Sequence, residues 1–280
     1  MKQSSFCLFI VLLFFQHNFG QGKLDKAEKS LKKSIEQINW DNNTSYPSRN
    51  SNSYPDNDNP ILLGLGRLLV EVGLYVTYYT LVETPIERKR AASTAFITKY
   101  PYFNSKKGNY SYEWGVDTGL FTASFRNNFI VENSKLYGNH FSTELRFFKR
   151  ISLETDYLQL WEQNTFFGDN SLAIFTAFAK YHRIRTEKFN AYWGIGTSYI
   201  AGEVKELGFT YGLGAEYFFA TPMSIEANFN QSSFKYDTTT KFNTLLNYHI
   251  DRFKLSGGYE SFSIGAVNFS TFSIGMGIFL

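Results

Sequence analysis

The chain has 280 residues, enough for one large domain or two small ones, and its net charge of +3 is too small to argue for nucleic acid. Aromatic residues make up 19%, with 29 Phe and 19 Tyr, which is high for a soluble domain. The single cysteine, Cys7, falls in a segment expected to be removed, so the mature chain would have neither a disulfide nor thiol chemistry.

Residues 1–20 carry one lysine, an apolar run from Phe6 to Phe15, a polar stretch and then Gly20. This is the pattern of a cleavable secretory signal peptide, with cleavage expected at Gly20–Gln21. Residues 21–40 follow as an amphipathic helix. Leu24, Ala27, Leu31, Ile35 and Ile38 share one face, and Lys26, Lys29, Lys33 and Glu36 take the others. The helix reads as solvated with one apolar stripe, which leaves open a periplasmic partner for residues 23–40. Residues 41–60 are Asn, Ser, Asp, Tyr and Pro with almost no aliphatics, and read as a disordered linker. Residues 61–109 begin with ILLGLGRLLVEVGLYVTYYTLV, a run long enough to span a bilayer but interrupted by Arg67, Glu71 and three glycines. A hydrophobic helix packed on the following domain is the expectation, an extra strand is the alternative, and a connector completes the segment.

Residues 110–280 alternate with period 2. Strands are expected near 112–130, 139–149, 150–161, 170–183, 188–200, 206–219, 222–234, 239–250, 252–262 and 268–280. The first changes phase near Asp117–Gly119, implying a bulge or two separate strands. Tight connections near 149–150, 185–187, 220–222 and 251 alternate with mostly longer, polar ones. The fold class that follows is all-β: an up-and-down antiparallel transmembrane barrel of about ten strands, with 8 or 12 possible, behind an N-terminal helical extension. Its short turns would face the periplasm.

The faces support this reading. Leu207, Phe209, Tyr211, Leu213, Ala215 and Tyr217 oppose Gly208, Thr210, Gly212, Gly214 and Glu216. Repeated glycine beside single charges suits the cramped interior of a small barrel better than a solvated surface. A soluble secreted β-sheet binding module is the alternative.

Gly194-Ile195-Gly196, the run Gly212 to Tyr217 and the closing run Ser273 to Leu280 resemble strands of OmpA-like outer-membrane β-barrels of bacteria. The resemblance covers roughly residues 110–280 and is one of architecture. It implies location in a bacterial outer membrane, outer-membrane lipids as neighbours and delivery by the barrel-assembly machinery. Phe272, Ile274, Met276, Ile278, Phe279 and Leu280 would form the assembly signal, although that family usually ends in Phe and this chain ends in Leu280.

His140-Phe141-Ser142-Thr143-Glu144 places His140, Ser142 and Glu144 on one face of a strand. The His-x-Ser part is similar to the strand motif of outer-membrane lipid A deacylases, in which His activates Ser against a lipid ester. In that family the pair faces lipid. Here Phe141, Thr143 and Leu145 take the outward face, so the pair is expected in the lumen. Glu144, Arg146, Glu154, Asp156, Glu216 and Glu226, with Glu113, Asp117, Lys254 and Glu260, form the expected lumen network, in which acids outnumber bases. Lys149, Arg150, Arg183, Arg185, Lys188, Arg252 and Lys254 lie at or near the short turns, where anionic headgroups would be in reach. No Cys or His cluster has metal-ligand spacing, and no motif calls for a cofactor. The reading is a non-catalytic barrel serving membrane integrity, adhesion, assembly or a narrow pore, with a lipid-directed hydrolase using His140 and Ser142 as the alternative.

Overall fold

The computed structural model describes residues 22–31, 77–83, 94–113, 115, 118–163, 169–202, 204–235 and 237–280. The expected signal peptide, the 41–60 linker, residues 32–40, most of 61–82 and Asp117 lie outside these residues.

Ten strands close into one antiparallel barrel. They are β4 (Phe121–Val131), β5 (Leu136–Phe147), β6 (Ile151–Glu162), β7 (Asn170–Arg185), β8 (Phe189–Ala201), β9 (Glu206–Ala220), β10 (Met223–Ser233), β11 (Thr238–Ile250), β12 (Phe253–Ile264) and β13 (Val267–Phe279). Each pairs with its sequence neighbours, and β13 closes on β4 in a register from Phe272↔Val131 to Phe279↔Ser124. Ala123 and Leu280 exchange backbone hydrogen bonds at 3.1 and 2.8 Å, which seals the seam to the last residue. Strands of 11 to 16 residues exceed the roughly 9–11 that a tilted strand needs to cross a bilayer.

Both barrel termini lie at one end, the terminal mouth, with connections 148–150, 186–188, 221–222 and 251–252. The far mouth carries 132–135, 163–169, 202–205, 234–237 and 265–266. The expected asymmetry in loop length is therefore milder, since 265–266 is a two-residue turn with Gly265 at positive φ.

Residues 110–119 do not join the barrel. Tyr110–Ser111 (β2) and Thr118–Gly119 (β3) flank Phe96–Thr98 (β1) in a three-stranded sheet at the terminal mouth. The phase change near Gly119 is thus a break between two sheets. Two helical stretches complete the fold, α1 at 23–31 and α2 at 77–81. Among the described residues no helix is long and apolar enough to cross a membrane.

The alternation resolves as expected. Leu207, Phe209, Leu213, Ile274 and Met276 are exposed on the outer wall, while Thr210, Ser224 and Ser273 are fully buried inside. An outward band of Leu, Ile, Phe and Tyr over a polar interior is the surface of a barrel that meets lipid. Glycine makes room within, as at Gly194. An added methyl there would sit 2.6 Å from the ring of Phe178, which fills the lumen at 0% exposure.

Depth along one strand provides a test of this facing. Leu213→Arg, in the middle of β9, should cost about 2–4 kcal/mol of membrane-folding stability, and Leu207→Arg, at the far-mouth end of the same face, about 0–1 kcal/mol. Folding titrations in lipid vesicles that ranked the two equally would contradict it.

Candidate functional site

Because inward residues recur every second position, each strand delivers a column of polar side chains to the lumen, and these meet in layers. Nearest the terminal mouth, Glu144 accepts from Arg146 Nε at 3.1 Å and from the Ser152 hydroxyl at 2.8 Å. Lys180 pairs with Glu154 and stands 3.8 Å from Glu144. Across the lumen, Arg126 Nη1 donates to both carboxylate oxygens of Glu226 at 2.9 and 3.0 Å, and Lys254 donates to the same carboxylate at 3.4 Å. Glu216 accepts from Ser224 at 2.8 Å and from Asn109 at 2.8 Å. A cavity of about 50 Å³ remains among these groups, room for a few waters.

The next layer centres on His140. One ring nitrogen meets Asp156 and the other meets Glu260 at 2.5 Å. Both nitrogens face carboxylate oxygens, so both carry protons and the ring is an imidazolium. Lys241 also pairs with Asp156 and donates to Thr176 at 3.0 Å, and Asn128 donates to Glu260 at 3.0 Å. Above this layer, Thr176, Ser198, Thr210 and Ser232 form a hydroxyl cluster with links of 2.7 to 2.9 Å.

Most of the expected lumen residues converge here, with four corrections. Glu113 is outside the lumen, in the small sheet, where it is exposed and pairs with Lys106. The acids do not outnumber the bases. Arg126, Lys180 and Lys241 join Arg146, Lys254 and the His140 imidazolium opposite Glu144, Glu154, Asp156, Glu216, Glu226 and Glu260. The three missed cations sit at inward parity, but β7 has apolar residues on both faces, which hid the parity of Lys180. Arg146 pairs within its own strand, while Arg126 with Glu226 and Lys241 with Asp156 bridge the lumen between non-adjacent strands. Finally, Arg150 and Arg183 hold chain in place of headgroups, and Lys254 is in the lumen. Arg183 donates to the carbonyls of Tyr79 and Thr80 at 2.9 and 2.8 Å, Trp193 to Leu81 at 3.0 Å and Arg150 to the Glu83 carboxylate at 2.8 Å. Arg183 and Trp193 thus cap the C-terminus of α2 on the outer wall, and Arg150 also donates to the Val82 carbonyl at 3.4 Å. Lys149 stacks over the Phe96 ring at 3.7 Å.

His140 and Ser142 do share the lumen, both buried. With both imidazole nitrogens engaged by carboxylates, neither is free to take a proton from Ser142. His182 bonds Ser152 and Asn190, and His249 bonds Ser224, so both are built into the network.

Residues 94–113 close the terminal mouth. The Tyr102 hydroxyl donates to the Met223 carbonyl at 2.6 Å and its ring packs on Phe218 and His249. Phe279 turns its ring inward beside His249. Burial, with the Glu216 carboxylate adding to it, pushes the Tyr102 phenol up to about 12, and burial does the same for Tyr110.

Two outcomes follow. Arg126→Leu should destabilise the barrel by about 3–5 kcal/mol because Glu226 loses its principal cation, and Arg126→Leu with Glu226→Leu should recover much of that loss. A double-mutant cycle without coupling would refute the pairing. A phenol whose pKa is raised on folding adds stability below pH 10 that disappears as pH rises from 10 to about 12. The terminal-mouth insert should therefore become more sensitive to proteolysis across that window, and Tyr102→Phe should reduce the pH dependence.

No family model matches the chain, and no curated protein does. Among solved structures, the chain is similar to the outer membrane protein Ail of Yersinia pestis in a phospholipid nanodisc. Identity is 13%, coverage is 57% of this chain and 99% of that one, and the TM-score is 0.34. It is also similar to the N-terminal β-barrel domain of Pseudomonas aeruginosa OprF, at 11% identity over 57% and 97% of the two chains and a TM-score of 0.31. An outer membrane channel of Pseudomonas putida F1 aligns at 10% identity over 57% and 94%, with a TM-score of 0.37.

Proposed function

We propose that the chain is a non-catalytic barrel of a bacterial outer membrane, closed to bulk solute flow, which serves membrane integrity, adhesion or assembly and not conduction. The far mouth faces the outside and the terminal mouth faces the periplasm. The observation that carries the reading is the charge-matched lumen, in which each lumen cation named above touches a carboxylate and the cavity among the charges nearest the terminal mouth is only about 50 Å³. An open pore needs a continuous water column, and a ten-stranded lumen filled by paired side chains has little space for one. The apolar outer wall supports the membrane setting. The closing strand supports assembly by the barrel-assembly machinery, since Phe272, Ile274, Met276 and Leu280 present an unbroken apolar outer face. The lipid-directed hydrolase reading is disfavoured by the lumenal, carboxylate-locked His140.

Purified protein in planar bilayers should give no large, steady conductance, and Ser142→Ala should leave the acyl chains of lipid A unchanged by mass spectrometry. Stable porin-like current would overturn the sealed reading. A Ser142-dependent acyl difference would promote the hydrolase.

A further inference from the structure

The far mouth breaks the rule that the lumen is polar. Its inward positions include Leu136, Leu158, Leu160, Leu172, Ile200 and Phe269, all at 0 or 1% exposure. Open to water, such a ring would expose an apolar cup. Helix α1 fills it. Leu24, Ala27 and Leu31 are 1, 0 and 2% exposed and belong to the same cluster as the ring. The expected solvated helix is therefore seated inside the barrel, because its stripe finds an apolar wall there.

A second, independent feature lies in the cup wall. Glu162, at the end of β6, is a carboxylate with 0% exposure. Its oxygens accept the backbone N–H groups of Lys23 and Leu24 at 2.9 and 2.8 Å, the first unsatisfied donors of α1. A cap that helices usually take from their own sequence is here supplied by a strand 138 residues away. Lys23 Nζ pairs with Glu132 at 2.7 Å, and the N–H of Ala266 donates to the Ser30 hydroxyl at 3.2 Å. A buried carboxylate in an apolar ring is costly unless such donors arrive.

We propose that the far mouth is a helix-binding site: an apolar cup with a buried carboxylate that captures the first turn of a short amphipathic helix, occupied here by the chain's own residues 22–31. The ligand class follows from the seat. It has a cation at the first helical position for Glu132, an apolar residue next, a small residue three positions later and an apolar residue at the ninth helical position. A nine-residue helix is marginal alone in water, so folding and docking of α1 are one coupled step on a wall already fixed by strands. The site stands whether or not the lumen conducts.

The test uses the full chain in nanodiscs, with folding verified by heat-modifiable migration, and a fluorescent peptide of residues 21–31. Leu24→Asp puts a second carboxylate beside Glu162 and should evict α1. The peptide should then bind the Leu24→Asp protein saturably, at least tenfold tighter than it binds the wild type, whose cup is filled. Adding Glu162→Ala should weaken peptide binding at least tenfold. Should Leu24→Asp fail to fold, Ala27→Cys in a Cys7→Ser background decides the matter. An impermeant maleimide should label it at least tenfold more slowly than Lys26→Cys, and Glu162→Ala should relieve the protection. Equal peptide binding to wild type and Leu24→Asp, no binding to a folded Leu24→Asp barrel, or labelling of Ala27→Cys as fast as Lys26→Cys would overturn the site.

Discussion

Closing ten strands into a ring fixes the width of the lumen before any side chain is chosen. Every inward position must then be satisfied by other inward positions. Bulk water does not fill so narrow a space, and the outer wall offers only apolar neighbours. The bridge from Arg126 to Glu226 is the clearest expression of this constraint, because β4 and β10 are not adjacent and the pair spans the interior between them. His140 meets the same demand another way, as an imidazolium between two carboxylates, bringing the charge of the middle lumen into balance. Such networks are weak evidence for net stability against an apolar core, yet costly to break from one side.

The two mouths are closed by different physics. At the terminal mouth, residues 94–113 insert aromatic rings and phenols against Phe218, His249 and His182, and the contacts are part polar and part stacked. At the far mouth the closure is an apolar helix in an apolar cup, with Glu162 and Glu132 fixing its register. Outside the wall, Arg183 on β7 and Trp193 on β8, with Arg150 from the turn before β6, finish the last turn of α2. Cations that looked free for headgroups were needed by carbonyls of the chain itself.

Period-2 alternation, the short turns and the glycines opposite bulky residues pointed to an antiparallel barrel of about ten strands and to which face of β5, β9, β10 and β13 looks outward, while the closed ring itself fixed the count at ten. These are local properties: a one-residue error in facing would move a whole apolar column into the lumen, so the pattern tolerates little ambiguity. Lumen membership of Glu144, Asp156, Glu216 and Glu226 followed from the same parity. What only the tertiary structure decided were the partners. Arg146 and Arg126 have equal claims on a lumen carboxylate by sequence, and the ring's geometry gives Glu226 to Arg126 and leaves Arg146 with Glu144. Strand β7 defeated the parity argument because Leu172, Ile174 and Phe178 face inward, and the reason lies far away, in α1 and in the space left at Gly194. The apolar stripe of α1 was legible, but its destination was not. A stripe states only that something must cover it, and Leu136, Leu160 and Glu162 come together as that cover only once the barrel has closed.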